Sequence, residues 1–178
     1  MENATPPLSR FLPRRKALHT VLPICWLALS SVVHSETLQN WYHDPFIQVR
    51  NAVADCPLPL GPFSTEAEAK KESHSRVERG NSCWLAGKCS KPNSYLYDAA
   101  IAQSVQAHFA RDPAFARSSL WLTFQRRFVW VEGCSADPAI DAAALEAFVR
   151  AEPDIERVIV NLRPVGSRQV PYPVAPQR

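Results

Sequence analysis

Cysteines are the residues of this chain best suited to chemistry. Cys25 lies near the amino end, and the four further cysteines are Cys56, Cys83, Cys89 and Cys134. Such a set can bind a metal, exchange disulfides or form structural disulfides. Five residues separate Cys83 from Cys89, which is wider than the two-residue spacing of thiol redox catalysts. The spacing from the nearby His74 matches no zinc pattern.

A hydroxyl nucleophile is the other chemistry that the sequence offers. Ser73, His74 and Ser75 are adjacent, but neighbours on a helix point apart, so direct contact is not favoured. We expect no catalytic residue, no metal and no cofactor. A metal-handling or hydrolytic enzyme with its site in residues 64–93 stays open as an alternative.

Whether the cysteines are expected to form disulfides depends on the compartment in which the protein works. Four basic residues precede an apolar run over residues 17–33, which is typical of a secretory signal peptide. We expect cleavage after Ser35. An uncleaved membrane anchor is disfavoured because His19, Thr20 and Pro23 interrupt the run, and the residues before Cys25 are too large for a lipid-attachment site.

Removing residues 1–35 changes the charge of the chain. Four of the twenty Lys and Arg residues and one of the seventeen Asp and Glu residues are lost, which leaves sixteen of each. The remaining chain is formally neutral, so we expect no nucleic-acid partner.

Removal of the leader also leaves an even number of cysteines. In an oxidising compartment four cysteines predict two disulfides, and three pairings are possible. We slightly favour Cys83 with Cys89 and Cys56 with Cys134, because the second bond would join the front of the exported chain to its back.

The elements that position these residues begin with two Asp-Pro pairs. Asp caps free amides and Pro tolerates the first helical turn. Asp44-Pro45 therefore predicts a helix over residues 45–55, and Asp137-Pro138 predicts another over residues 138–151. Between them, Thr65 and Glu68 have capping-box spacing and open a solvated helix that Gly80 can close.

The second half of the chain alternates between helical and strand patterns. Residues 94–111 carry apolar side chains four apart, which predicts a helix. Residues 119–124 and 128–132 are β-branched and aromatic and read as a hairpin, and residues 155–163 give a third strand. The proline-rich residues 164–178 predict a disordered tail.

These patterns predict an α+β protein with a two-layer sandwich of helix-strand-strand-helix-strand order. A helical, disulfide-linked extension precedes it. The expected segments are a signal peptide (1–35), the N-terminal extension (36–93), the α+β domain (94–163) and the tail (164–178).

The α+β domain resembles the BON domain of exported bacterial proteins. The resemblance lies in the hairpin of residues 120–133, the alanine-rich helix of residues 142–149 and the strand of residues 155–162. Gly133 falls where that family has a characteristic glycine, although two arginines stand in the hairpin turn where the family commonly has a glycine. The resemblance implies a non-enzymatic periplasmic module associated with phospholipid contact and envelope stress.

Alternation along the strands predicts a candidate binding surface. If the helices cover one face of the sheet, Trp121, Phe128, Trp130 and Ile159 share the other. A predicted first helix carrying Trp41, Tyr42, Phe46 and Val49 could cover them; otherwise they form a surface for a partner, a lipid or a second copy.

The sequence therefore predicts an exported periplasmic binding module that contacts an envelope phospholipid or a periplasmic or outer-membrane protein, with weak homo-oligomerisation possible. A structural subunit of an envelope assembly is a further alternative.

Overall fold

A computed structural model describes residues 36–177, and the predicted signal peptide lies outside these residues. The fold is α+β, as the sequence predicts. Its elements in chain order are β1 (Phe46–Asn51), α1 (Glu66–Leu85), a 3-10 turn (Ser94–Tyr97), α2 (Asp98–Arg111), β2 (Ser118–Gln125), β3 (Phe128–Ser135), α3 (Ala142–Arg150) and β4 (Arg157–Arg163).

The four strands form one sheet in the order β1-β2-β3-β4. β2 is antiparallel to both β1 and β3, and β4 runs parallel to β3 because α3 carries the chain back across the sheet. The predicted hairpin and third strand are confirmed. One face of the sheet packs on α2 and α3, and the fully buried side chains there include Leu120, Leu122, Phe124, Val129, Val131, Leu145 and Val149.

The predicted helix over residues 45–55 is wrong, because residues 46–51 form the edge strand β1. Asp44 does not cap a helix; its carboxylate accepts two hydrogen bonds from Arg76, at 2.7 and 2.8 Å. Phe46 and Ile47 pair with Thr123 and Leu122 of β2. The open edge of the hairpin overrides the local capping signal, since β-branched and aromatic side chains suit a half-buried strand.

The other helix boundaries are partly as predicted. The capping box is confirmed, with the Thr65 hydroxyl and the Glu68 side chain each bonded to the other's backbone. Helix α1 continues through Gly80 to Leu85, so the predicted closure at Gly80 is wrong. This glycine instead permits the close approach of Asn93, since an added Cβ would lie 2.6 Å from the Asn93 side chain. Helix α3 begins four residues after Pro138, with the Asp141 side chain as its cap.

Gly133 lies inside β3 and not in a turn. Its φ is +152°, and an added Cβ would lie 2.0 Å from the backbone oxygen of Ser119 on β2. The glycine is therefore required by the close approach of two strands as well as by its backbone angle.

Both favoured disulfides are confirmed. Cys56, after β1, is bonded to Cys134 on β3, across a sequence separation of 78. Cys83, in the last turn of α1, is bonded to Cys89, six residues further along.

Most of residues 164–177 are exposed, but the part around Tyr172 to Ala175 is paired with an earlier segment of the chain, in contrast to the predicted disordered tail. The Tyr172 side chain is buried, and its hydroxyl donates to the Pro57 carbonyl at 2.9 Å. Backbone hydrogen bonds join Leu60 to Pro173 and Leu58 to Ala175. Proline has no amide hydrogen, so the Leu60 and Ala175 amides are the donors that join the two segments. We call residues 56–60 and 171–175 together the strap.

No helix within residues 36–177 is long and apolar enough to cross a membrane.

Candidate functional site

The sheet face away from the helices carries all four predicted binding residues. Trp121, Phe128, Trp130 and Ile159 are each partly exposed. Trp130 lies directly opposite Ile159 in the parallel pairing, and its ring centroid is 6.0 Å from that of Phe128. We call these four side chains the apolar face. The structure brings them together, and their role in binding stays a prediction.

The intramolecular cover of this face differs from the predicted lid helix. Trp41 and Tyr42 point elsewhere: they donate to the carbonyls of Ser64 and Ala69, at 2.8 and 2.6 Å. The strap is the segment that crosses the sheet, and the Cys56–Cys134 bond holds it against β3. It covers the end of the face near Cys134, whereas the hairpin end remains partly open.

A buried carboxyl lies between the strap and the open end. Glu132 is opposite Trp121 on β2 and Asn161 on β4, and only 8% of the residue is exposed. Burial raises the pKa of its carboxyl to about 7. No hydrogen bond from residues 36–177 opposes this rise in the pKa. Glu132 is thus largely uncharged below neutral pH and available to a ligand or a proton.

Sequence reasoning missed Glu132, although the signal was present. It is in phase with Phe128 and Trp130 on β3, so the same alternation that predicts the apolar face also places this carboxyl on it. A second polar group there is the Thr123 hydroxyl, opposite Trp130, which is buried and unpaired among the described residues. Buried polar groups without partners are rare and point to a bound water or ligand.

Arginines lie around the open end of the apolar face. The guanidinium of Arg126 lies 4.0 Å from the centroid of the Phe128 ring. Arg157 is opposite Phe128 on β4 and is exposed. At the other end, Arg163 is directed to the Asp55 carbonyl, at 3.0 Å. The open end therefore combines aromatic surface with two cations.

The hairpin turn that places Arg126 and Arg127 is strained. Both residues have positive φ, at 50° and 70°, a conformation for which turns of this kind prefer Asn and Gly. The Asp98 carboxylate accepts both backbone N–H groups at 2.7 Å and so fixes the turn. Burial raises the pKa of Asp98 to about 6, although these two hydrogen bonds oppose the rise. Backbone strain of this kind is concentrated at functional sites.

The Arg127 side chain extends from this turn to the Cys83–Cys89 disulfide. Its Nη1 lies 3.0 Å from Cys89 Sγ and 3.2 Å from Cys83 Sγ. Its Nε donates to the Asp154 carbonyl at 2.7 Å, and its guanidinium lies 5.2 Å from the Tyr97 ring centroid. The side chain is 16% exposed, and Nη1 also lies 3.9 Å from the carboxylate of Glu156, which is more than half exposed. The cation is thus held in one place against the two sulfurs.

The alternative site in residues 64–93 does not assemble. His74 is exposed on α1 and lies 3.4 Å from Glu78, while Ser73 and Ser75 bond to the helix backbone. Cys83 and Cys89 are bonded to each other. Within residues 36–177 no group of three metal-ligating side chains comes together.

Ser104, His108 and Glu152 form a polar cluster that the sequence analysis did not predict. Ser104 donates to one Glu152 oxygen, and His108 Nδ1 lies 2.9 Å from the other. The carboxylate lies between the hydroxyl and the imidazole, whereas a nucleophile and its base must touch each other. The cluster therefore ties α2 to the segment after α3.

A cavity of about 950 Å³ lies beside the strap. Its walls come from residues 36–38 and from both segments of the strap, with Phe46 and Phe63 also lining it. Its lining contains none of the four residues of the apolar face.

Comparison with protein-family profiles, with curated protein sequences and with solved structures finds no match to this chain.

Proposed function

We propose that this chain is an exported, non-catalytic binding module of the BON type, whose apolar face contacts anionic phospholipid of the cell envelope. The observation that carries the proposal is the open end of that face. There, partly exposed Phe128 and Trp130 lie beside Arg126 and Arg157.

The chemistry of this surface suits a membrane interface. Aromatic side chains with apolar bodies are favoured at the boundary between lipid headgroups and acyl chains. Arginine pairs well with phosphate, because its planar fork donates two hydrogen bonds at once. Each basic residue near an anionic surface adds about 1 kcal/mol of attraction.

Export is part of the proposal. Two disulfides in residues 36–177 are typical of proteins outside the reducing cytosol. The basic and apolar leader of the sequence gives independent support, and we propose the periplasm as the compartment.

The central carboxyl gives the surface a pH dependence. Because burial raises the pKa of Glu132 to about 7, this carboxyl is mostly uncharged below that pH. Above it, its negative charge, opposite Trp121 on the same face, opposes an anionic surface. Lipid binding is therefore strongest on the acidic side of neutrality.

Vesicle sedimentation tests the proposal. Purified protein is mixed with phosphatidylglycerol vesicles or phosphatidylcholine vesicles, and bound protein is measured at pH 6 and pH 8. We expect preference for the anionic vesicles and tighter binding at pH 6. Replacing Trp121 and Trp130 by Ser should weaken binding at least about tenfold, because two buried aromatic groups contribute well over 1.4 kcal/mol.

Trp84→Ser is the matched control, since Trp84 is equally aromatic and 46% exposed but lies on α1. It should leave binding unchanged. Unchanged vesicle affinity in a folded Trp121→Ser, Trp130→Ser variant would exclude the lipid surface. If vesicles are not bound but an envelope protein is retained by the wild type and lost by this variant, the occupant of the face is a protein.

A further inference from the structure

The Cys83–Cys89 disulfide differs from a structural staple in its electrostatic surroundings. Arg127 Nη1 is within 3.2 Å of both sulfurs. A neutral disulfide gains little from a cation, whereas a thiolate gains much, because a nearby positive charge favours the ionised sulfur. Arg127 is therefore complementary to the reduced form of this pair.

We propose that Cys83–Cys89 is a thiol–disulfide exchange site for a dithiol protein, with Arg127 stabilising the thiolate that leaves. This role is separate from lipid binding on the apolar face. The turn that presents Arg127 has an unfavourable backbone conformation, and this conformation places the cation at the sulfurs.

The two sulfurs have different roles in the exchange. Cys83 is in the last turn of α1, where the negative end of the helix dipole disfavours a thiolate. Cys89 is outside the helix and is closer to Arg127, at 3.0 Å. The incoming thiolate therefore attacks Cys83 Sγ, and Cys89 leaves as the thiolate paired with Arg127.

The reaction balances without another reagent. A new S–S bond forms between the partner and Cys83 as the bond between Cys83 and Cys89 breaks. The second thiol of the partner then attacks this mixed disulfide and releases Cys83. Two electrons pass from the dithiol to the cystine, and the partner leaves as a disulfide. One of the two thiol protons ends on Cys83, and the other passes to solvent because Cys89 stays the thiolate paired with Arg127.

The surface beside Cys83 suits a protein partner. Trp84 and Leu85 directly follow it and are 46% and 80% exposed. Both sulfur-bearing residues are themselves partly exposed. The other disulfide offers a contrast: Cys134 is 1% exposed, and the group beside its sulfur is the uncharged Tyr172 hydroxyl, at 3.7 Å.

Redox titration tests the proposal. Purified protein is equilibrated with mixtures of reduced and oxidised dithiothreitol, free thiols are alkylated, and each cysteine is quantified by peptide mass spectrometry. We expect Cys83 and Cys89 to be reduced at a reductant ratio at least tenfold lower than that for Cys56 and Cys134. Arg127→Gln should raise the ratio needed for Cys83 and Cys89 about tenfold, which corresponds to about 30 mV.

Arg126→Gln is the matched control, because Arg126 occupies the same turn but stacks on Phe128. It should leave the titration of Cys83 and Cys89 unchanged. Equal midpoints for the two disulfides, or an Arg127→Gln midpoint equal to that of the wild type, would overturn the proposal.

A second measurement uses the wild-type protein alone, in case Arg127→Gln does not fold. Brief treatment with glutathione followed by acid quenching should trap the mixed disulfide on Cys83. Trapping on Cys89 instead would contradict the assigned roles. None of these assays contains lipid, so their failure leaves the vesicle experiment unaffected, and failure of vesicle binding leaves the exchange site unaffected.

Discussion

The two ends of the sheet are held by different means. At the strap end, the Cys56–Cys134 bond joins segments 78 residues apart and Tyr172 packs against it. At the hairpin end, charged side chains make the connections: Arg76 binds Asp44, and Asp98 fixes a strained turn. The strap end is closed by a buried disulfide. The hairpin end carries the partly exposed aromatic groups, the cations and the Cys83–Cys89 loop, which we propose to be reducible.

The largest effect should come from the strap end. A disulfide stabilises by limiting the unfolded chain, and the effect grows with the length of the closed loop. Replacing Cys56 and Cys134 by Ser should lower the free energy of unfolding by about 4.5 kcal/mol, against about 2.4 kcal/mol for Cys83 and Cys89. Urea denaturation of the two variants measures the difference. Equal losses would show that the two bonds do not differ as structural supports.

At the hairpin end, the Arg76–Asp44 pair should have the next largest effect. Both side chains are less than 10% exposed, and the guanidinium lies between the rings of Tyr42 and Tyr95. Arg76→Ala leaves the Asp44 carboxylate buried without its cation, so we expect a loss of about 3 kcal/mol.

Lys70→Ala is the control for this variant, because it breaks the exposed Lys70–Glu66 pair on the same helix. Its cost should stay below about 0.5 kcal/mol. A loss from Arg76→Ala as small as that from Lys70→Ala would show that the ion pair does not hold α1 to the sheet. Unfolding is measured in urea, because the denaturant guanidinium chloride is a salt and screens ion pairs.

For the helix-capping patterns, the sequence was sufficient where both partners are close in the chain and misleading where the capping residue has a distant partner. Thr65 and Glu68 are three residues apart and cap one helix, so their spacing was sufficient. Asp44 also carries a helix-cap pattern, but its partner Arg76 is 32 residues away, and an unpaired sheet edge was available to the residues after it.

The same distinction explains the candidate site. The apolar face follows from alternation along three strands, β2, β3 and β4, so its members were predictable. Burial of Glu132 was not predictable, because it depends on the strap, whose proline-rich second segment has the composition of a disordered tail. The Arg127 contact with the sulfurs likewise requires the folded positions of α1 and the hairpin.

Two buried carboxyls, those of Glu132 and Asp98, allow a further comparison within the sheet. Burial raises the pKa of Glu132 to about 7 and that of Asp98 to about 6. A carboxyl whose pKa is higher in the folded state binds more protons there. Its contribution to the free energy of unfolding is therefore fully present below the pKa that it has in the unfolded chain. The contribution is lost as the pH rises through the folded value. Both residues therefore favour the folded state at acidic pH.

The two residues differ in their hydrogen bonds, and amide substitutions should separate them. Glu132→Gln removes a charge that no hydrogen bond stabilises in the described chain, so its stability relative to wild type should rise between about pH 4.5 and 7. It should level off at a gain of about 2 kcal/mol, since contact with water reduces the full effect. Asp98→Asn replaces one carboxylate oxygen by an NH2 donor, so one of the two turn amides loses its acceptor, and the variant should be destabilised at pH 8. Urea unfolding at pH 5 and pH 8 measures both, and a Glu132→Gln variant with the wild-type pH dependence would show that this carboxyl is hydrated in the folded protein.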